Sequence, residues 1–279
     1  MMQYTLVHSD VLVPEVITLV GCGGTGAFVA EGMCRLLGGT RRRLMLVDPD
    51  VVEPHNIRRQ AFYESDIGRP KARVLAERLA RNYGQAISYV VSGYEKEFWH
   101  GGLLVSCVDN FKARRAIHKT ITHSWWIDVG NGESSGQVLI GNGRGREALQ
   151  GAFIPSRGQC LRLPTPTMQC PALLEPDALA ARAAVAGDCA EAVGAGVQGP
   201  VINQWMAALC LEFVSRLLTG RLTWMAAYLD VDVGSLRAVE ATPENVAKLL
   251  GRMRVRDLIV REERLKTRRK PQEACLAEV

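Results

Sequence analysis

The sequence predicts an α/β fold, a doubly wound and mostly parallel sheet with an antiparallel extension at one edge. Over the first 130 residues, short apolar runs alternate with longer amphipathic runs, as in strand–helix–strand units. Helices of this length between strands indicate right-handed crossovers and a parallel sheet. The 279 residues are 47% hydrophobic and 23% charged, so we expect an ordinary globular core.

The first half supplies the parallel part of the predicted sheet. A continuous apolar run at 16–20 is typical of a buried strand, and the second helix ends at Gly84 because glycine favours a left-handed cap. Residues 135–142 then predict a strand that turns back on its neighbour. In order, we predict strands at 16–20, 42–48, 87–94, 102–109 and 124–130, and helices at 25–37, 71–84 and 111–122.

The second half is less regular. Residues 143–199 are rich in Gly, Pro and Ala, and we interpret them as an irregular crossover insertion. A linker at Thr242 and Pro243 divides the chain into a main domain, residues 1–242, and a charged helical tail, residues 243–279. The predicted later elements are a short helix at 177–187, a helix at 200–219 and a strand pair at 222–231 and 236–241.

The basic charge of the chain is local. The net charge is +5, and residues 252–270 alone hold nine Lys or Arg against three Asp or Glu. Such a run is most often a solvated helix, with an acidic partner as the alternative, and nucleic acid is not expected as a partner. We find no signal peptide, and the apolar run 201–218 is interrupted by Glu212 and Arg216. A cytoplasmic protein outside the membrane is therefore expected.

The eight cysteines indicate free thiols. No two are three residues apart, so paired zinc-ligand motifs are missing from the sequence and we expect no zinc. Cys22, Cys107 and Cys210 lie in apolar or glycine-rich surroundings, where a buried free thiol is the simplest interpretation. A reducing compartment fits this usage.

A glycine loop follows the strand at 16–20. Gly21, Gly23 and Gly26 have G-x-G-x-x-G spacing with Gly24 between them, and Asp48 closes the next strand. Glycines let the backbone approach phosphate, the helix N-terminus supplies N–H donors, and a carboxylate accepts from ribose hydroxyls. We favour a nucleotide ligand over a tight turn without one, although the motif alone does not separate NAD, FAD and ATP.

Downstream side chains favour a triphosphate. ATP brings about four negative charges, which need cations or metal beyond the glycine loop. Asn56, Arg59 and Lys71 supply such groups, and Asp109 and Asn110 end a buried strand where a carboxylate can hold Mg²⁺. Each also has a structural alternative: a surface ion pair for Arg59, a first-turn position for Lys71 and a helix N-cap for Asp109.

Five ordered motifs resemble the ThiF/MoeB and ubiquitin-activating superfamily over roughly residues 14–235, which implies a Rossmann-like sheet. The later segment "CAEAVGAGVQGPV" is similar to that superfamily's C-x-E-A-G-V-x-x-P segment. The motifs are Gly21-x-Gly-Gly-x-Gly26, Asp48-x-Asp50, Asn56-x-x-Arg59-Gln60, Gly68-x-Pro-Lys71 and Asp109-Asn110.

The resemblance implies an adenylyltransferase that uses ATP and Mg²⁺ on the C-terminal carboxylate of a small ubiquitin-like protein with a glycine tail. The implied nucleotide site comprises the four loop glycines, Asp50, Asn110 and the groups that follow. Asp48 would hold the ribose, Asp109 the metal, and the phosphates would be held by Asn56, Arg59 and Lys71.

A covalent second step is also implied, because Cys189 matches the cysteine of the superfamily segment. A thioester or persulfide at Cys189 and a packing role for this thiol are both open. Cys160 and Cys170 are weaker candidates for the same step. The superfamily further implies a homodimer.

Two departures from the superfamily pattern stand out. Relatives with two C-x-x-C pairs bind zinc, and no such pair occurs here. Relatives also send an N-terminal arginine into the neighbouring subunit, yet no Lys or Arg precedes Arg35, so Arg58 or Arg69 would have to supply that charge. The sequence resembles most the ThiF-family protein of bacterial PRTRC gene clusters, which implies a conjugating-enzyme-like partner.

Three alternatives stay open. An NAD-dependent oxidoreductase explains the glycines and Asp48 but leaves Asn56, Arg59, Lys71 and Asp109 without a role. A nucleotide-binding scaffold without catalysis is favoured by the missing arginine. Adenylation of an RNA-borne base is less favoured, since the only strongly basic segment is the tail.

Overall fold

A computed structural model of the protein describes residues 2–7, 15–94, 102–121, 124–175, 200–251 and 253–260. The strands are β1 Thr5–Leu6, β2 Val16–Val20, β3 Arg43–Val47, β4 Ile87–Val90, β5 Leu103–Ser106, β6 Trp125–Asn131, β7 Ser135–Gly141, β8 Phe153–Ile154, β9 Gln159–Cys160, β10 Trp224–Asp230 and β11 Ser235–Glu240. The helices are α1 Gly24–Leu37, α2 Lys71–Tyr83, α3 Phe111–Thr120, α4 Pro166–Gln169, α5 Pro200–Leu218, α6 Pro243–Leu250 and α7 Val255–Leu258.

The predicted doubly wound sheet is confirmed. Its strand order is β11-β10-β7-β6-β5-β2-β3-β4, in which β4, β3, β2, β5 and β6 run parallel. The strands β7, β10 and β11 add antiparallel pairs at one edge, as predicted. The strand order reverses between β2 and β5, so the loops that follow these two strands diverge to opposite faces and leave a crevice.

Helices cover both faces of the parallel part of the sheet. One face carries α1, α2 and α5 against Ile17 and Leu19, and the other carries α3 against Val20 and Trp126. Because both faces are buried, the central strands are continuous apolar runs instead of alternating ones. Glycine at position 32 lets α1 approach α5, since a Cβ there would lie 2.1 Å from Leu211 Cδ1.

The helix α5 is long and apolar enough to cross a membrane by length and composition alone. In the structure, half of its window Val201–Leu218 is buried, and Met206, Cys210 and Phe213 pack into the main core. The hydropathy of this helix is accounted for by its contacts with α1 and the sheet.

Several elements differ from the predicted ones. The strand predicted at 87–94 ends at Val90, because a bend at Ser92 and Gly93 follows it. The strand β1 was not predicted, and it pairs in parallel with β9 inside the segment interpreted as irregular. That segment is therefore partly regular up to residue 175, where β8, β9 and α4 lie. The helix predicted at 177–187 lies outside the described residues.

The first part of the predicted tail packs on the main domain. Helix α6 begins at Pro243 with Thr242 as N-cap, and Val246 and Leu258 are fully buried. After α7, Ile259 forms a bridge with Phe153 of β8. The basic residues from 261 onward lie outside the described part of the chain.

A buried ion pair ties α3 to β6. The Arg114 Nε lies 3.2 Å from both carboxylate oxygens of Asp128, whose Oδ1 also accepts from Ser106 Oγ at 2.6 Å. The Ser106 hydroxyl in turn accepts from Trp126 Nε1 at 2.7 Å. The pair fixes the start of α3, where Asn110 caps the helix, relative to the carboxyl end of the sheet.

We expect Arg114→Leu to lower the free energy of unfolding by about 3–5 kcal/mol, because it leaves the Asp128 carboxylate buried without a cation. The double variant Arg114→Leu/Asp128→Asn should recover at least about 2 kcal/mol of this loss, since the amide is neutral and still accepts from Ser106. Urea unfolding at constant m-value measures both. Arg115→Leu, on the exposed side of α3, is the control, and a double variant no more stable than the single one would contradict the interpretation.

Candidate functional site

The carboxyl ends of three neighbouring parallel strands bring the predicted site residues to one edge of the sheet. Val20 of β2 pairs with Val47 of β3 on one side and with Ser106 of β5 on the other. The glycine loop, the Asp48 segment and the Asp109 segment therefore start at the same level. This is the crevice that the strand order creates.

Two glycines of the loop are required by its own closure. Gly21 has φ +89°, and a Cβ there would lie 2.7 Å from the Cys107 carbonyl oxygen. A Cβ on Gly26 would lie 1.8 Å from the Gly21 carbonyl oxygen, closer than any side chain permits. These positions let the first turn of α1 sit directly on the strand ends.

The N-terminus of α1 is open. Gly23 is the N-cap and supplies no side chain, and no acidic residue lies in the first turn. Within the part of the chain that the structure describes, the N–H groups of Gly24, Thr25 and Gly26 have no hydrogen-bond partner. Unpaired N–H groups at a helix N-terminus suit an anion, phosphate above all.

Gln60 faces this open N-terminus. A Cβ on Gly23 would meet nothing closer than the Gln60 amide nitrogen at 3.8 Å, so space exists above the loop. The Gln60 Oε1 is buried and has no partner among the described residues. Gln60 is part of the sequence motif Asn56-x-x-Arg59-Gln60, from which no role for it was predicted. Its unpaired oxygen and its position near Gly23 make it a candidate ligand contact.

Asp48 lies beside the loop, as a ribose-binding residue would. It is 4% exposed, and its oxygens accept from Cys22 N at 2.5 Å and from Asp50 N at 2.8 Å. Burial raises the pKa of the Asp48 carboxyl, while these two N–H groups act in the opposite direction. Each oxygen keeps a second lone pair for an external donor.

Lys71 and Asp50 form an ion pair at the edge of the site. The Lys71 side chain is 8% exposed, and its Nζ lies 3.1 Å from Asp50 Oδ2. Lys71 is also the first residue of α2, so it occupies the first-turn position predicted as its structural alternative and forms the ion pair as well. An ammonium has three donors and Asp50 takes one, which leaves donors for a phosphate.

Asn56 ends a short 3₁₀ helix, Pro54–Asn56, and Arg59 lies in the turn that follows it. Asn56 is buried, and its Oδ1 accepts from Glu53 N at 3.0 Å as part of a capping box. This bond uses the oxygen and leaves the amide nitrogen of Asn56 as a donor. Arg59 is half-buried, and no ion pair of its guanidinium is found among the described residues, so the surface ion pair is not formed there.

Asp109 and Asn110 follow β5, and both are exposed. The N-cap of α3 is Asn110, whose Oδ1 accepts from Ala113 N at 2.9 Å, so the alternative of Asp109 as N-cap is wrong. Among the described residues no group of three metal-ligating side chains exists. Mg²⁺ is usually held by one or two carboxylates plus substrate phosphates, and a single Asp109 carboxylate fits that donor set.

Of the three cysteines predicted to be buried, Cys22 and Cys210 are buried and Cys107 is half-buried. Burial raises the pKa of the thiols of Cys22, Cys107 and Cys210. Cys160 is also fully buried with a raised pKa, whereas Cys170 is half-buried at the end of α4. Cys189 lies outside the described residues.

Arg58 and Arg69 were predicted as substitutes for the missing N-terminal arginine. Arg58 is exposed. Arg69 is engaged in an ion pair with Glu77, with its Nη2 2.6 Å from Glu77 Oε2.

A cluster that the sequence analysis missed lies beneath the loop. It joins Thr25 of α1, Asn131 of β6 and Asn203 of α5 by hydrogen bonds of 3.0–3.1 Å. The available signal was Asn203 itself, an amide between the buried apolar residues Ile202 and Met206 of this helix.

The fold and the loop together define a Rossmann-like α/β protein with an open helix N-terminus at its switch point. The chain matches the ThiF family over residues 8–246, and it belongs to that family. The predicted family resemblance is thereby confirmed.

Curated relatives agree with this assignment. The chain is similar to Ubiquitin-like modifier-activating enzyme 5 of Xenopus laevis, with 31% identity over 147 residues, and to that of Arabidopsis thaliana, with 30% over 150 residues. These matches cover 44% of this chain and 36% and 34% of the relatives. The matched part thus spans about a third of the length of these relatives.

Solved structures share the fold. E. coli MccB with ATP matches with a TM-score of 0.57 and 16% identity, over 82% of this chain and 64% of that one. PaaA matches with a TM-score of 0.52 and 16% identity, over 81% and 63%. At this identity, the likeness concerns the fold alone.

We expect Gly23→Ala and Gly26→Ala to separate ligand binding from folding. Gly23→Ala should cost about 1 kcal/mol of stability, because alanine is a weaker N-cap, yet lower affinity for ATP·Mg²⁺ at least about tenfold by filling the loop. Gly26→Ala should cost more than about 3 kcal/mol, because its Cβ meets the Gly21 carbonyl. Urea unfolding and calorimetric titration measure the two effects.

The matched control for these variants is Gly93→Ala, where a Cβ meets nothing within 4 Å. It should change neither quantity. Unchanged ATP affinity in a folded Gly23→Ala protein would show that the open N-terminus is not the phosphate site.

Nucleotide affinity should fall on acidification, beginning at a higher pH than for an ordinary aspartate of pKa about 3.9. An ionised Asp48 carboxylate would accept ribose hydroxyls with both oxygens, and burial raises its pKa, so protonation would compete with binding at a higher pH. Asp48→Asn should bind more weakly at neutral pH and lack this component of the pH profile. If the affinities of the two proteins for the same nucleotide changed in parallel between pH 4 and 8, Asp48 would not be a nucleotide ligand.

Proposed function

We propose that this protein catalyses ATP-dependent adenylation of a carboxylate. The observation that carries the proposal is the open N-terminus of α1 at the switch point, with three unpaired N–H groups. A buried carboxylate, Asp48, lies on one side of it, and the cationic side chains of Arg59 and Lys71 come from the segment that follows. This combination suits a nucleoside triphosphate better than a dinucleotide, whose pyrophosphate the loop alone satisfies.

The substrate in this proposal is the C-terminal carboxylate of a small ubiquitin-like protein with a glycine tail. Support comes from membership of the ThiF family and from relatives named as ubiquitin-like modifier-activating enzymes. The proposal extends to a homodimer, to a conjugating-enzyme-like partner and to a PRTRC setting, which rest on the sequence resemblance.

The reaction is an in-line displacement at the α-phosphorus of ATP. An oxygen of the substrate carboxylate forms a bond to that phosphorus, and the bond to the bridging oxygen of the β-phosphate breaks. The products are an acyl-adenylate and pyrophosphate, and no proton transfer is needed because the nucleophile is already ionised. Negative charge builds up on the phosphate oxygens, where preorganised N–H groups and cations stabilise it most.

The residues divide this work. Asp48 holds the ribose, and the loop N–H groups hold the phosphates together with Asn56, Arg59 and Lys71. Asp109 would hold Mg²⁺, which when bound neutralises phosphate charge. The strand predicted to end at Asp109 ends at Ser106, and Asn110 fixes the position of Asp109 relative to α3 by capping that helix.

The acyl-adenylate then passes to a nucleophile. In this proposal the Cys189 thiolate attacks the acyl carbon, a thioester forms, and AMP leaves with the electron pair of the broken carbon–oxygen bond. Direct transfer to an external nucleophile is the other outcome, and it needs no protein thiol.

We expect ATP–pyrophosphate exchange that requires Mg²⁺ and a ubiquitin-like protein with a C-terminal glycine tail. Asp109→Ala should lower the exchange rate at least about 100-fold, since it removes a metal ligand from the transition state. The control Glu147→Ala changes an exposed carboxylate that follows β7 and should leave the rate unaffected. A reductant-sensitive adduct with the partner, lost in Cys189→Ser, would identify the thioester.

Catalysis would be contradicted if the wild-type protein showed no ATP–pyrophosphate exchange with a partner that is shown to bind. ATP·Mg²⁺ binding without exchange would then identify a nucleotide-binding scaffold. Thermal stabilisation by NAD and not by ATP·Mg²⁺ would identify an oxidoreductase.

A further inference from the structure

The buried cluster of Thr25, Asn131 and Asn203 is fully bonded at its centre. Asn203 is 0% exposed, and its Oδ1 accepts from Thr25 Oγ1 at 3.1 Å and from Asn131 Nδ2 at 3.0 Å. Its Nδ2 donates to the backbone carbonyl of Arg59 at 3.2 Å. Both the oxygen and the nitrogen of this one amide are therefore engaged, each with a different part of the chain.

Packing alone does not explain an amide at this position. The neighbours Ile202, Met206 and Ala207 on α5 are buried and apolar. An amide buried without its bonds costs about 1–3 kcal/mol, so a helix that only had to pack would carry an apolar residue here. The residue is instead explained by the segments that it joins.

Those segments surround the candidate nucleotide site. Thr25 belongs to the first turn of α1, whose N–H groups are open, and a Cβ on Gly24 would lie 2.5 Å from Asn203 Nδ2. The Arg59 carbonyl belongs to the segment that carries the candidate phosphate-binding guanidinium and is followed by Gln60. Asn203 thus contacts the loop from below and holds the Arg59 segment by its backbone.

We propose that Asn203 is a positioning residue that fixes the Arg59 segment against the glycine loop. The inference rests on the proposed function, because it assigns the Arg59 guanidinium to the phosphates. Asn203 itself lies beneath the loop and acts through the Arg59 backbone. A displacement of about 1 Å in such a geometry can cost up to about 100-fold in rate.

A double-mutant cycle in ATP·Mg²⁺ binding tests the coupling. We expect Asn203→Ala to weaken affinity about tenfold in the wild-type background and less than about threefold in Arg59→Ala, because the group that it positions is then missing. Calorimetric titration gives the four dissociation constants. Equal factors in the two backgrounds would overturn the proposal.

A control separates positioning from general loosening of the helix. Leu217→Ala removes a buried side chain at the far end of α5 and should lower stability without changing ATP affinity more than about twofold. If Leu217→Ala weakens ATP binding as much as Asn203→Ala does, the effect belongs to α5 stability and the proposal is wrong.

Hydrogen–deuterium exchange tests the same inference without nucleotide. Asn203→Ala should raise exchange at least about fivefold at the hydrogen-bonded amides of Ala27 in the loop segment and of Arg59 and Gln60 in the Arg59 segment, and Leu217→Ala should not. If the wild-type protein binds no ATP·Mg²⁺, the proposed function fails, while this readout still decides on Asn203. Unchanged exchange in both segments would overturn the positioning role.

Discussion

The contact between Gly26 and the carbonyl of Gly21 is the constraint on which the rest of the site depends. It brings the first turn of α1 onto the end of β2, where no Cβ fits between them. The N–H groups of that turn are unpaired among the described residues, and the turn follows β2, next to the point where the strand order reverses. Asp48 follows β3 and Asp109 follows β5, the two strands that flank β2 and its loop. The binding potential is therefore a property of the backbone, and side chains refine it.

Buried polar groups hold the parts of the crevice in register. The Arg114–Asp128 pair fixes α3, and the amide of Asn203 fixes the Arg59 segment. Both are costly to bury unless fully bonded, and neither places a charged group in the crevice. The molecule thus separates two kinds of polar group: bonded networks tie its elements together, whereas Gln60 Oε1 has no partner among the described residues and the Lys71 ammonium keeps donors beyond its pair with Asp50.

Most of the fold and the glycine loop could be predicted from local sequence signals. Apolar runs, the cap at Gly84 and the glycine spacing depend on neighbours in sequence, and each predicted a feature that the structure contains. Contacts between distant segments were not predictable in this way. The strand β1 has two residues and depends on β9, which lies about 150 residues away. Asn203 belongs to the same class, because its role is defined by Thr25 and Arg59, far from it in the chain.

The chemistry of the thiols follows from the same architecture. Cys22, Cys107 and Cys210 lie near the crevice because small residues suit its tight packing, and that burial raises the pKa of each thiol. A thiol kept protonated does not compete with a carboxylate for the α-phosphorus. The proposed adenylation needs no protein nucleophile, so it does not require these thiols to ionise. A thioester step would then require a thiol other than these three, and Cys189 is the candidate that the family resemblance supplies.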